Sequence, residues 1–196
     1  MQEYTIIFIG KSGAGKGTQI KSLLEYLSSK NESSVACLEA GQTLRDFISS
    51  DTYTSRLAQS NNTKGRLQPA FLAIWAWVDK MVHSFSGQKI LCVDGAPRKL
   101  NEAYILDEMF DFYNRHNRII VHINVNDEWA KDRLKDRARN DDTDIESVDS
   151  RLEWFNENSK GILSFFEESG KYKIFTIHGE QTIEQVHTDI INALQI

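Results

Sequence analysis

Between Gly10 and Thr18 the chain reads Gly-Lys-Ser-Gly-Ala-Gly-Lys-Gly-Thr, which sets four glycines among two lysines and ends on a hydroxyl. Glycines tolerate positive φ and carry no side chain, so a loop rich in them can wrap a phosphate closely with its backbone N–H groups. Lys16 supplies a full cation for β- and γ-phosphates, the backbone of Gly13, Ala14, Gly15 and Gly17 supplies the cradle, and the hydroxyl of Thr18 lies near the accompanying metal. A glycine-rich stretch that serves only as a turn would need no particular neighbours. This one follows an apolar, β-branched run, Tyr4–Ile9, and opens a helical pattern running to Ser29. A helix starting there adds roughly half a unit of positive charge beside the bound anion. The chain is expected to bind a nucleotide.

Two further groups of residues could do related chemistry. Ile90-Leu-Cys-Val-Asp94 is an apolar run ending in a carboxylate, and Gly95-Ala-Pro-Arg98 follows it. An acid at the tip of a strand beside a phosphate loop is placed to hold magnesium, directly or through its waters. Farther on, Arg133, Arg137, Arg139 and Arg151 accompany Asp141 and Asp142. Charge content alone would make that region a solvated helix surface, since Lys135 and Asp136 are interleaved. Permanently charged, bidentate donors are nevertheless what phosphoryl transfer needs, because that chemistry depends on positioning and charge neutralisation.

Apolar strand-like runs alternate with helical patterns along the whole chain, which predicts a parallel sheet covered by helices on both faces. Strands are expected at Tyr4–Ile9, Val35–Glu39, Lys89–Val93, Ile119–Val125 and Lys173–Ile177. Helices are expected at Gly15–Ser29, Leu44–Ser49, Tyr53–Ser60, Pro69–Ser84, Leu100–Asn114, Asp127–Arg137, Ile145–Ser169 and Ile183–Leu194. The two helices between Ala40 and Ser60 interrupt the alternation and suggest a small lobe, with Asn61–Gly65 as the loop leaving it. Trp75 and Trp77, two residues apart on one predicted helix, cannot share a face closely; one could line a base pocket, but packing is the expected role.

A chain of 196 residues suits one domain with a sizeable core. A net charge of −5 gives no bulk positive field for a nucleic acid backbone. No apolar run is long enough to span a bilayer, and the start of the chain does not read as a signal peptide. The two cysteines, Cys37 and Cys92, sit in strand-like runs and read as buried free thiols. No Cys/His spacing suggests zinc. A cytoplasmic protein without nucleic-acid or membrane partners is the expectation.

The loop departs from the general Gly-x4-Gly-Lys-[Ser/Thr] form, because Gly17 follows Lys16 and moves the hydroxyl to Thr18. In this it resembles the loop of the adenylate kinase, or nucleoside monophosphate kinase, family. Three more segments resemble that family in order. Asp94-Gly-Ala-Pro-Arg98 is similar to Asp-Gly-Phe-Pro-Arg, with alanine for the aromatic. Ala40-Gly-Gln-Thr-Leu-Arg45 is similar to Thr-Gly-Asp-Leu-Leu-Arg. The arginines from Arg133 to Arg151 resemble the family's lid, although only Ala138 separates Arg137 from Arg139.

The resemblance covers nearly the whole chain. It implies a single P-loop domain over residues 1–196, with a five-stranded parallel sheet, a monophosphate-binding lobe at 40–68 and a very short lid at 137–143. It further implies reversible, magnesium-dependent transfer of the ATP γ-phosphate to a nucleoside monophosphate, most simply AMP, by a monomer. Lys16 and the loop amides would hold the donor phosphates. Arg133, Gly179 and Gln181 would contribute to the donor base pocket. Arg45 and Arg98 would clamp the acceptor phosphate, with Ala40, Gly41, Leu67, Gln68 and Gly95 lining the acceptor site. Arg137, Arg139 and Arg151 would stabilise the transferring group, and Asp94 with Thr18 would hold magnesium through waters.

The acceptor base stays open. Four residues after Arg98 the family carries a glutamine that pairs with adenine, and here that position is Glu102. An ionised carboxylate only accepts, whereas adenine presents a donor at N6 and an acceptor at N1. Guanine, with two adjacent donors, or cytosine, with its amino group, would suit it, so a GMP or UMP/CMP kinase is the alternative. A protonated or outward-turned Glu102 would still permit AMP. A small-metabolite kinase fits the paired acceptor arginines poorly. A nucleotide sensor without transfer activity is a further alternative, which Lys16, Asp94 and the lid arginines disfavour.

Overall fold

The computed structural model describes residues 3–63, 66–137 and 145–195. Its elements run β1 (Tyr4–Ile9), α1 (Lys16–Ser29), β2 (Val35–Glu39), α2 (Ala40–Ile48), α3 (Tyr53–Thr63), α4 (Ala70–Ser84), β3 (Ile90–Asp94), α5 (Leu100–Phe112), β4 (Arg118–Asn124), α6 (Asp127–Arg137), α7 (Ile145–Glu168), β5 (Tyr172–His178) and α8 (Ile183–Leu194). The strands form one parallel sheet in the order β2-β3-β1-β4-β5.

Alternation along the strands sorts the core into two layers, as a sheet buried on both faces requires. Ile6, Phe8, Ile119 and Val121 pack on one face beneath Ile20, Leu23, Val186 and Ile190 of α1 and α8. Ile7, Ile9, Leu91 and Ile120 pack on the other beneath Trp77, Leu106, Phe110 and Phe166. Because β1 lies between β3 and β4, the connections leaving β1 and β3 turn to opposite sides, and a crevice opens beyond the strands' carboxyl ends. That crevice receives the glycine loop.

The opposite end of the sheet is fastened by a buried arginine that sequence pattern did not single out. Arg115 donates to the carbonyls of Gln88, Lys89 and Tyr4 and to Thr5 Oγ1, and its charge meets Glu3. Its neighbour Arg118 pairs with Asp107 and Asp111 under the ring of Tyr172. Each guanidinium is therefore buried with its donors occupied, which is the condition for tolerating a charge there.

Two sequence expectations are corrected. The first of the two helices between Ala40 and Ser60 begins at Ala40 and not Leu44, because the chain enters it directly from β2 and Gly41 lies inside its first turn. Residues 61–63 are not a loop but the last turn of α3, where Thr63 Oγ1 donates back to Gln59 and Ser60 carbonyls. Lys64 and Gly65 lie outside the described residues.

Candidate active site

The glycine loop is held by its own geometry and by α6. Gly13 and Gly15 both sit at φ 87°, a left-handed conformation that favours glycine. A Cβ on Gly13 would also come within 2.4 Å of the Ala130 carbonyl, so α6 packs flush against the loop. Lys16 opens α1 and reaches back across the loop, its Nζ donating to the carbonyls of Gly10 at 2.7 Å and Lys11 at 2.9 Å. Lys11 in turn is ion-paired with Asp127 at the start of α6, to which Asn156 of α7 also donates. The hydrogen bond from Lys11 is the main reason the Asp127 carboxyl titrates below the usual carboxylate range.

Asp94 ends β3 in register with Phe8 and Glu39. A Cβ on Gly17 would lie 3.9 Å from Asp94 Oδ2, so this carboxylate faces the start of α1, where Thr18 is exposed. Among the described residues no three His, Cys, Asp or Glu side chains group closely enough to cage a metal. The donor set at Asp94 and Thr18 is one that magnesium accepts, since that ion keeps several waters and takes one or two protein oxygens beside phosphate.

Beyond the loop, the cleft wall contains Trp129, Arg133, Gly179 and Gln181. The Arg133 guanidinium stacks over the Trp129 ring at 4.9 Å, a one-turn spacing along α6. Gly179 lets the chain pass close to β4, because a Cβ there would fall 2.6 Å from Val125 Cγ1. The Gln181 side chain is spent on the His178 carbonyl and Asp189. Trp129 was not anticipated, although its position four residues before Arg133 was the available signal. Gln19, also unanticipated, donates to the Ile183 carbonyl and so joins α1 to α8 beside this wall.

Across the cleft, Arg45 and Arg98 converge on one glycine. A Cβ on Gly41 would lie 3.0 Å from Arg98 Nη2 and 3.4 Å from Arg45 Nη1. Arg98 Nε donates to the Gly95 carbonyl at 2.9 Å, and Gly95, at φ 78°, leads into a cis Ala96–Pro97 peptide. Arg45 is held by Gln42, whose Oε1 accepts from Nε at 3.2 Å and Nη2 at 2.8 Å. In the sequence Gln42 stands where the resembling family motif has aspartate. The structure makes it the residue that aims Arg45.

Leu67, Gln68 and Arg151 line the same cleft, a continuous space of about 960 Å³ running from the loop to Arg45. Gln68 is buried, with Nε2 donating to the Ala58 carbonyl at 2.8 Å. Ala40 begins α2 beneath this wall. Arg139, Asp141, Asp142 and the loop 138–143 lie outside the described residues, as does the side chain of Arg137. Trp75 and Trp77 point to different surroundings: Trp75 is partly exposed against Phe47, and Trp77 is buried.

Glu102 is 3% exposed, and its Oε2 accepts the Arg98 backbone N–H at 3.0 Å. Burial raises its pKa, against the lowering effect of that hydrogen bond and of the Arg98 and Lys99 charges. A carboxyl whose pKa is higher in the folded chain than in the unfolded one stabilises the fold fully below the unfolded value, and that contribution is lost as pH rises through the folded value. Glu102→Gln should therefore raise the melting temperature at pH 7 and make no comparable difference near pH 4. Thermal melts of both proteins across that range would check the sign, and a glutamine variant less stable at pH 7 than the parent would contradict it.

A strand–glycine loop–helix unit at the turning point of a parallel sheet, facing two convergent arginines across a deep cleft, defines a P-loop phosphotransferase. The chain belongs to the adenylate kinase family: the family model described as adenylate kinase matches residues 8–171. It is 28% identical over 185 residues to adenylate kinase 1 of Synechocystis sp., covering 94% of each chain. It is 30% identical over 181 residues to adenylate kinase 1 of Nostoc sp., covering 92% of this chain and 93% of that one. To the adenylate kinase of Flavobacterium psychrophilum it is 29% identical over 199 residues, covering 96% of this chain and 98% of the relative. The chain is thus an ATP-dependent nucleoside monophosphate kinase. No helix among the described residues is long and apolar enough to cross a membrane.

Proposed function

We propose that this kinase transfers the γ-phosphoryl group of ATP reversibly to AMP, giving two ADP. The observation that carries the reading is the convergence of Arg45 and Arg98 over Gly41, across the cleft from Lys16. Two guanidinium groups meeting over a bare backbone suit an acceptor that already carries a phosphate. Lys16 and the loop N–H groups hold the donor phosphates, while Trp129, Arg133, Gly179 and Gln181 border the donor base. Arg151, with Arg137 and Arg139, neutralises charge on the transferring group, and residues 40–68 and 137–143 act as the acceptor lobe and the short lid.

Asp94 and Thr18 would hold a magnesium ion, which supplies charge neutralisation at the phosphates when bound. No general base is required of the chain, since an acceptor phosphate oxygen is already a competent nucleophile. What the residues contribute is alignment: fixing two phosphates in line can supply about 7–11 kcal/mol of the barrier. Closing the arginine-lined walls over them keeps water from the reacting centre.

Glu102 gives a second reading a specific footing, because a buried carboxylate could instead select guanine or cytosine. Diphosphate formation from Mg-ATP with AMP, GMP, CMP, UMP and dTMP in parallel tests both. AMP as the preferred acceptor supports the first reading, and GMP or CMP replaces it with the second. ATP binding without transfer to any acceptor would make the chain a sensor.

A further inference from the structure

The acceptor side of the cleft narrows into a small cavity of about 20 Å³. Leu44, Leu67 and Arg98 border both spaces, and Trp77 and Glu102 line only the smaller one. A space of that size accommodates about one water molecule. What can enter is the edge of a base and not the whole ring.

Trp77 is 1% exposed, and its indole N–H has no hydrogen-bond partner among the described residues. A buried donor left unpaired is costly, and native folds keep few of them. Phenylalanine would fill most of the same apolar space without that cost. Glu102, in the same lining, offers the complement. One oxygen of Glu102 is engaged by the Arg98 N–H, which leaves the other as an acceptor. The residues lining the cavity thus include one with an acceptor to spare, on α5, and one with a donor to spare, on α4.

A glutamine amide presents that same pair from a single side chain. Adenine asks for it: N6–H needs an acceptor, and N1 needs a donor. Guanine, which presents donors at N1–H and N2–H, could use the carboxylate but would leave the indole N–H without an acceptor. Resting on the acceptor reading above, we infer that Trp77 is a specificity-determining residue, its indole N–H donating to adenine N1 while Glu102 accepts from N6–H. The lost half of the glutamine is supplied from another helix, and a carboxylate at position 102 then no longer selects against AMP.

The test compares AMP with 1-deaza-AMP, which has a carbon in place of N1, in the unaltered enzyme and in Trp77→Phe. In the unaltered enzyme kcat/KM should fall about tenfold for 1-deaza-AMP, the size of one lost hydrogen bond. In Trp77→Phe the two acceptors should perform equally, with the loss for AMP lying in KM. Because Trp77→Phe removes core volume, a second readout uses the intact chain: the Trp77 indole N–H resonance should move downfield with AMP and not with 1-deaza-AMP. Equal use of both acceptors by the intact enzyme, or an unmoved resonance, overturns the role of Trp77 and leaves AMP as the acceptor. Preference for GMP overturns it while the chain is still a monophosphate kinase. Failure to use any acceptor overturns it together with the reading it rests on.

Discussion

Replacing Lys16 with methionine should lower the rate of phosphoryl transfer by about a thousandfold while leaving the fold almost as stable. Charge develops on phosphate oxygens during transfer, and a fixed cation there is worth several kcal/mol because it needs no reorganisation. Methionine keeps the stem and removes the charge. The two carbonyls that Lys16 Nζ now engages, on Gly10 and Lys11, border the open cleft and can bind water instead. The structural loss should then be near 1 kcal/mol, which shifts the melting temperature of a chain this size by about 2–4 °C. Rate and melting curve measured together separate the two roles. A variant retaining a tenth of the activity would reduce Lys16 to a strut that shapes the loop.

The strands and the phosphate loop were legible because each carries a local signal strong enough to stand without tertiary context. Ile6 to Ile9 are β-branched or aromatic, buried on both faces, and followed at once by glycines with no side chain to mislead. The start of α2 and the end of α3 were less readable. Gly41 looks like a loop residue in sequence, and the closest approach that requires glycine there, that of Arg98, comes from a segment far along the chain. Asn61 and Asn62 look like turn residues, yet they sit in α3, where residues after the helix bond back to it: the Arg66 N–H donates to the Asn61 carbonyl.

The site divided in the same way. Residues carried by contiguous motifs were legible as candidates, and those that act through a neighbouring side chain were not. Gln42, which orients Arg45, and Trp129, which supports Arg133, have no motif of their own and acquire meaning only from a partner one turn away. Glu102 was visible as a substitution, but its consequence depends on Trp77, which lies on a separate helix and read as core. It is core, at 1% exposure, and also the wall of a cavity. A sequence position carries one residue name but can serve two environments.

Arg98→Lys should lower kcat/KM for the acceptor by about a thousandfold, with the apparent affinity for ATP little changed. Lysine conserves the charge, so an electrostatic attraction alone would survive the exchange. The structure gives Arg98 two tasks that a single ammonium cannot share: Nε anchors on the Gly95 carbonyl at 2.9 Å while Nη2 faces Gly41 beside Arg45 Nη1. A planar fork performs both at once, and a point charge must give up one. The donor side, centred on Lys16 and Arg133, is built from other elements, so ATP binding should not report the loss. Arg45→Lys should behave similarly but more mildly, since Gln42 positions that guanidinium from an exposed helix face. Because both arginines are assigned to one phosphate, the double variant should lose less than the sum of the singles, and a double-mutant cycle on kcat/KM would measure the difference. Strict additivity would mean that Arg45 and Arg98 bind separate groups, and the acceptor clamp would have to be abandoned.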